Sequence, residues 1–234
     1  MQKPIAMSTH STTSDSGLTA SSNSPAMVVR VYLEDGSIES FVQTDEEAAR
    51  KLWDAIDPVR LFTQPRLIIA GTHSKSVFVG SAIVRIDFVQ QFCPCWQFPD
   101  GYADIVELSE VDFRKNAHLD QPELMSKREQ PTPVGDLLVS FLQLKFRNTP
   151  PLFLMAELSV KLPAENQSFM RFLLSKTGFH MRLGGGGVGV VNLSHLVGYT
   201  VYPGVAQVPT DSWSAEPIRE SLPNRRTTSN LQTK

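Results

Sequence analysis

One spacing constrains this chain more than any single motif. Residues 66–89 align with residues 179–202 without a gap at a fixed offset of 113. Gly71 meets Gly184, Val77 meets Val190, Ser81 meets Ser194 and Val84 meets Val197. Ile83 and Leu196 match in character, as do Ile86 and Tyr199. A pattern that recurs at a fixed spacing points to one supersecondary unit used twice.

The first copy reads β-β-α-β-β-β. Val28–Leu33 is rich in β-formers, Asp35-Gly36 marks a hairpin turn, and Ile38–Val42 returns. Thr44 and Glu47 have capping-box spacing, with Thr44 at the cap. Ala48, Ala49, Leu52, Trp53 and Ile56 then recur at helical spacing, and Asp57-Pro58 ends that helix. Leu67–Ala70, Ser76–Val79 and Ile83–Val89 read as three strands.

The second copy repeats the order. Leu137–Arg147 alternates as a strand, Asn148-Thr149-Pro150-Pro151 turns, and Leu152–Val160 returns. Pro163 opens a predicted helix whose apolar residues Phe169, Met170, Phe172, Leu173 and Leu174 cover more than one face, with Gly178 as its C′ residue. Three strands follow within residues 179–202. A unit of about 65 residues is near the lower size for independent folding, so each copy needs a partner. The predicted fold is therefore α+β: two related β-β-α-β-β-β units with mainly antiparallel sheets, packed as a pseudo-dimer around a shared core, with disordered termini.

The predicted boundaries are a tail over 1–26, the first unit over 27–89, an insert over 90–135, the second unit over 136–205 and a tail over 206–234. The first tail holds eleven Ser or Thr and has no apolar run after Lys3 to serve as a secretory signal. Met7 and Met27 are both candidate starts. In the last segment Trp213 stands alone among polar residues; it either docks back on the domain, the preferred reading, or anchors a partner.

Composition sets the limits on function. Of 234 residues 41% are hydrophobic, enough for a core. A net charge of -2 excludes a uniformly basic coat for nucleic acid. It also conceals an asymmetry. Residues 100–123 carry seven acids against Arg114 and Lys115, whereas Lys145, Arg147, Lys161, Arg171, Lys176 and Arg182 outnumber the acids of residues 136–182. No run approaches a membrane span.

No catalytic constellation emerges. Gly184–Gly189 is followed by strand-like residues, not by the helix a phosphate loop needs, so it reads as a hairpin turn. Cys93-Pro94-Cys95 lacks the further ligands of a zinc site and reads as a structural pair in a reducing compartment. The five histidines form no metal-binding pattern. The sequence thus predicts a cytoplasmic, non-catalytic protein-interaction or regulatory module with no catalytic, metal or cofactor residues. It would bind a protein partner through the insert or an exposed sheet edge. The candidate binding residues are Trp96, Phe98 and Tyr102 of the insert, Lys145, Arg147, His180 and Arg182 of the second unit, and Trp213. Two alternatives stand beside this. One is single-stranded nucleic-acid binding through the basic second unit, with Phe146 or Phe179 stacking on bases. The other is an enzyme with an unrecognised site between the units.

Overall fold

The structure, a computed structural model, describes residues 25–90, 102–121, 133–134, 137–159, 175–202 and 213–215. It is an α+β fold, mostly strand. The first half runs β1 (Met27–Leu33), β2 (Ile38–Gln43), α1 (Glu46–Asp54), α2 (Pro58–Thr63), β3 (Arg66–Ala70), β4 (Lys75–Val79), a 3-10 turn (Gly80–Ala82) and β5 (Ile83–Val89). Next come β6 (Tyr102–Glu107), α3 (Glu110–Asn116) and β7 (Pro133–Val134). The second half runs β8 (Leu137–Phe146), β9 (Leu152–Ser159), β10 (Gly178–Arg182), β11 (Val188–Asn192), a 3-10 turn (Leu193–His195) and β12 (Leu196–Tyr202). The predicted helix from Pro163 lies outside the described residues.

Three local expectations are corrected. The cap of α1 is Asp45, not Thr44; its carboxylate accepts from the Ala48 amide, so Glu47 falls at the second helical position and no capping box forms. Asp57-Pro58 does not simply end α1 but starts α2: Asp57 accepts from the amides of Val59 and Arg60, and Pro58 occupies the first turn, where its missing N–H costs nothing. Gly178 opens β10 instead of closing a helix. A Cβ there would lie 2.6 Å from the Val191 carbonyl oxygen and 2.9 Å from the Phe62 ring, so its smallness lets α2 pack on the strand.

One ten-stranded, largely antiparallel sheet follows the order β12-β8-β9-β6-β10-β11-β5-β1-β2, with β7 paired to β8, and β3-β4 form a separate hairpin. Residues 102–121 of the expected insert are built into it. β6 lies between β9 and β10, pairing parallel with β10. Phe113 of α3 is buried among Phe141, Phe153 and Tyr202.

The offset of 113 extends into the strand registers. In the first half Leu33 faces Ile83 and Tyr32 faces Arg85 across a bulge; in the second Phe146 faces Leu196 and Lys145 faces Gly198 across another. Val31 faces Glu39, and Leu144 faces Leu152; Val29 faces Phe41, and Leu142 faces Leu154. The Glu34 amide donates to Ala82, and the Arg147 amide to His195. β4, β5 and the first 3-10 turn map residue for residue onto β11, β12 and the second. The exception is the hairpin. Arg66 faces Val79, but Gly178, the counterpart of Pro65, faces Asn192, so the glycine-rich turn is one residue longer.

The packing is not around one shared core. One buried cluster gathers Leu142, Leu144, Leu154 and Met181 of the second half and takes Val84 from the first. The other gathers Val29, Val31, Trp53 and Ile86 of the first half and takes Val188 and Val190 from the second. Each half lends strand residues to the other's core.

Candidate functional site

The two halves are stitched by β5 and β11. Val188 faces Phe88, Gly189 faces Asp87, Val190 faces Ile86 and Val191 faces Arg85, in antiparallel register. β11 is built of valines, a glycine and Asn192 and is buried throughout, and β5 is mostly apolar around Arg85 and Asp87 and nearly all buried. Asn192 clips the end of the seam: its Nδ2 donates to the Ile83 carbonyl at 2.8 Å, while its Oδ1 accepts from Ser194.

A charged cluster lies along the same seam. Arg85 donates to both oxygens of Asp87 and to both of Glu107, and its guanidinium stands 5.1 Å above the Tyr32 ring. The Tyr32 hydroxyl donates to Asp87 at 2.8 Å. Burial pushes the Asp87 carboxyl above its ordinary range, although Arg85 pulls it the other way. Burial also raises the Tyr32 hydroxyl, helped by the adjacent Asp87 charge. Burial works against the Arg85 cation, but the two carboxylates outweigh it and hold the guanidinium above its ordinary value. The members spend their donors and acceptors on one another, and Glu107 ties the first-half strands β1 and β5 to β6. Gly189 leaves room for the cluster, since a Cβ would sit 3.0 Å from Asp87 Oδ1 and 2.7 Å from Met181 Cε.

Two strand edges correspond to this seam and stay open among the described residues. At the offset of 113, β4 is the counterpart of β11 and β12 the counterpart of β5. β4 pairs only with β3, and β12 only with β8. The exposures diverge accordingly. Val197 is 69% exposed, Tyr199 43%, Val77 54% and Val79 57%, and Ile68 opposite Val77 is 59% exposed. Val84, Ile86, Val190 and Asn192, the counterparts of the first four, are each at or below 2%. Ile68 and Val77 face each other across the hairpin, so the exposed apolar groups form a patch.

The residues predicted to bind are not brought together. Lys145 lies on β8 and His180 and Arg182 on β10, with β9 and β6 between those strands. Lys145 and Arg147 are exposed, His180 is half-buried, and Arg182 Nε lies 3.3 Å from Asp104 Oδ1. Phe146 and Phe179 are buried, which removes the stacking groups of the nucleic-acid reading. Tyr102 begins β6. Trp96, Phe98, Cys93 and Cys95 lie outside the described residues. Trp213 is 96% exposed, so the expected docking of its ring on the domain is not made.

None of the open-edge residues is among the binding residues that the sequence predicts. The signal was present: Val77 and Val79, and Val197 and Tyr199, are apolar residues at period two whose aligned partners are also apolar or amide-bearing. Among the described residues no helix is long and apolar enough to cross a membrane. Comparison of the chain with known protein families, with curated proteins and with solved structures finds no match.

Proposed function

We propose that the chain is a non-catalytic binding module made by tandem duplication, whose two related units are joined head to tail and recognise an extended protein strand at an open sheet edge. One observation carries this reading: Val77, Val79, Val197 and Tyr199 are exposed on strands with an open edge, whereas their counterparts on the paired strands are buried. Unpaired strand edges are templates for strand addition, with the backbone supplying affinity and alternate side chains supplying selectivity. β4 and β12 each offer a backbone edge flanked by apolar side chains. Recognition through the insert is less favoured, because β6 holds the centre of the sheet and α3 is packed on it.

The test is a pull-down from the native source with the wild-type chain and with a Val77→Lys/Tyr199→Lys double variant as bait. Both positions are exposed, so the fold should survive, as circular dichroism will verify. Proteins recovered by the wild type and lost with the variant support edge recognition. Identical recovery would refute it.

A further inference from the structure

The internal seam specifies a partner for the open edges. The seam is one-sided: the upper strand of the second unit's hairpin, β11, joins the last strand of the first unit, β5. A two-fold pairing would also join β4 to β12, and that pairing is not among those formed by the described residues. The relation between the units is therefore heterologous, and a heterologous contact leaves one complementary surface at each end. Here those surfaces are β12 at one end and β4 at the other.

Building on the edge-recognition reading, we infer that the occupant of these edges is a second copy of this chain, with β4 of one molecule added antiparallel to β12 of the next. The register follows from the seam at an offset of 113: Lys75 opposite Val201, Ser76 opposite Thr200, Val77 opposite Tyr199 and Phe78 opposite Gly198. The side chains suit it. Val77 meets Tyr199, two exposed apolar groups of the kind that stabilise cross-strand pairs. Ser76 meets Thr200 where the seam sets Gly189 against Asp87, so a small hydroxyl pair replaces the buried charge. In the seam, β5 sends Val84 into the core of the neighbouring unit. Val197, its exposed counterpart, would do the same in the next molecule. The pairing repeats head to tail, so it builds a closed ring when the rotation closes and a filament when it does not.

The full-length chain tests this directly. Light scattering coupled to size exclusion, over a concentration series, should give a mass of at least two copies of the 26.0 kDa chain. Val77→Lys and Tyr199→Lys should each return it to a single copy with an unchanged circular dichroism spectrum. A wild type of single-copy mass throughout, or an assembly that both variants leave intact, overturns the inference.

Register is read by cross-linking in a background with Cys93 and Cys95 changed to Ser. Directly opposed residues on antiparallel strands have Cα atoms about 4.5–5.5 Å apart, inside the range that a disulfide spans. Ser76→Cys/Thr200→Cys should therefore oxidise to a covalent ladder, and neither single variant should cross-link. A covalent dimer from Ser76→Cys alone would mean like edges meet, which overturns the head-to-tail pairing. A single-copy wild type whose Val77→Lys/Tyr199→Lys variant still loses other proteins would sink self-assembly and leave edge recognition standing; loss of neither would sink both.

Discussion

The seam between β5 and β11 and the open edges of β4 and β12 use the same strand positions to opposite ends. Beside the seam a guanidinium, two carboxylates and a phenol are locked together on β1, β5 and β6, an amide clips the seam's end, and a glycine of β11 makes the room. At the open edges the positions of Tyr32, Arg85 and Asp87 are held by Lys145, Gly198 and Thr200, and those of Gly189 and Asn192 by Ser76 and Val79. The seam thus carries groups that are costly to separate once buried, because each would leave an unpaired charge or amide behind. The edges carry apolar and hydroxyl groups that tolerate water. One geometry serves a joint within the chain, and the other suits the proposed edge contact.

The largest expected effect breaks the charged cluster on β5. Arg85→Ala leaves Asp87, which is 2% exposed, without its counter-charge and strips Glu107 of its partner. Removing one side of a buried pair costs about 3–5 kcal/mol. Urea unfolding of the variant should show that loss, and a stability within error of the wild type would mean that the cluster does not tie β5 to β6. No such cost attaches to Gly198, the position at the offset of 113, because a glycine has no side chain to make such a network.

Much of this fold is legible in the sequence, and for a reason. Strand alternation, the Asp35-Gly36 turn and the spacing of the 3-10 turns are local, so they show in short windows. The offset of 113 is legible because the bulges and the 3-10 turns keep the same spacing in both halves, the glycine-rich hairpin turn alone differing by one residue. What is not legible is non-local. β6 meets β10 through a parallel pairing in which Arg182 faces Val106, and no local pattern announces such a partner. Thr44 and Asp45 are both good cap residues, and only the turn of the chain selects Asp45. The open edges were hidden differently. Val77 and Val190 are the same residue in the same pattern, and burial separates them only after the halves are joined.

A smaller effect sharpens the electrostatic side of the comparison. The unfolded Asp87 carboxyl titrates at its ordinary value of 3.8, and in the folded chain it titrates higher. Between the two values the folded chain holds a proton that the unfolded chain has lost, so the contribution of this group to stability falls as pH rises through that window. The effect runs against the usual acid-induced loss from salt-bridged carboxylates. Asp87→Asn removes it. Urea midpoints of wild type and variant across acidic pH should therefore give a difference, wild type minus variant, that declines as pH rises from 3.8. A difference that grows with pH would mean that Arg85 outweighs burial at this carboxyl.

The smallest change converts an open edge toward the seam. Asn192 donates to the Ile83 carbonyl across the β5–β11 joint, and its counterpart on β4 is Val79, 57% exposed. The counterpart of Ile83 is Leu196 at the start of β12. Val79→Asn should leave the isolated fold nearly unchanged, because the position is at the surface. In the head-to-tail pairing the same amide gains the Leu196 carbonyl of the next molecule. One net hydrogen bond of about 1 kcal/mol corresponds to roughly fivefold in association. The concentration at half-assembly, read by analytical ultracentrifugation, should drop by that factor. Unchanged assembly would mean that the contact does not extend to the clip. A stronger assembly from this substitution, beside dissociation by Val77→Lys, would place Val79 and Val77 on one interface with the polarity of the seam.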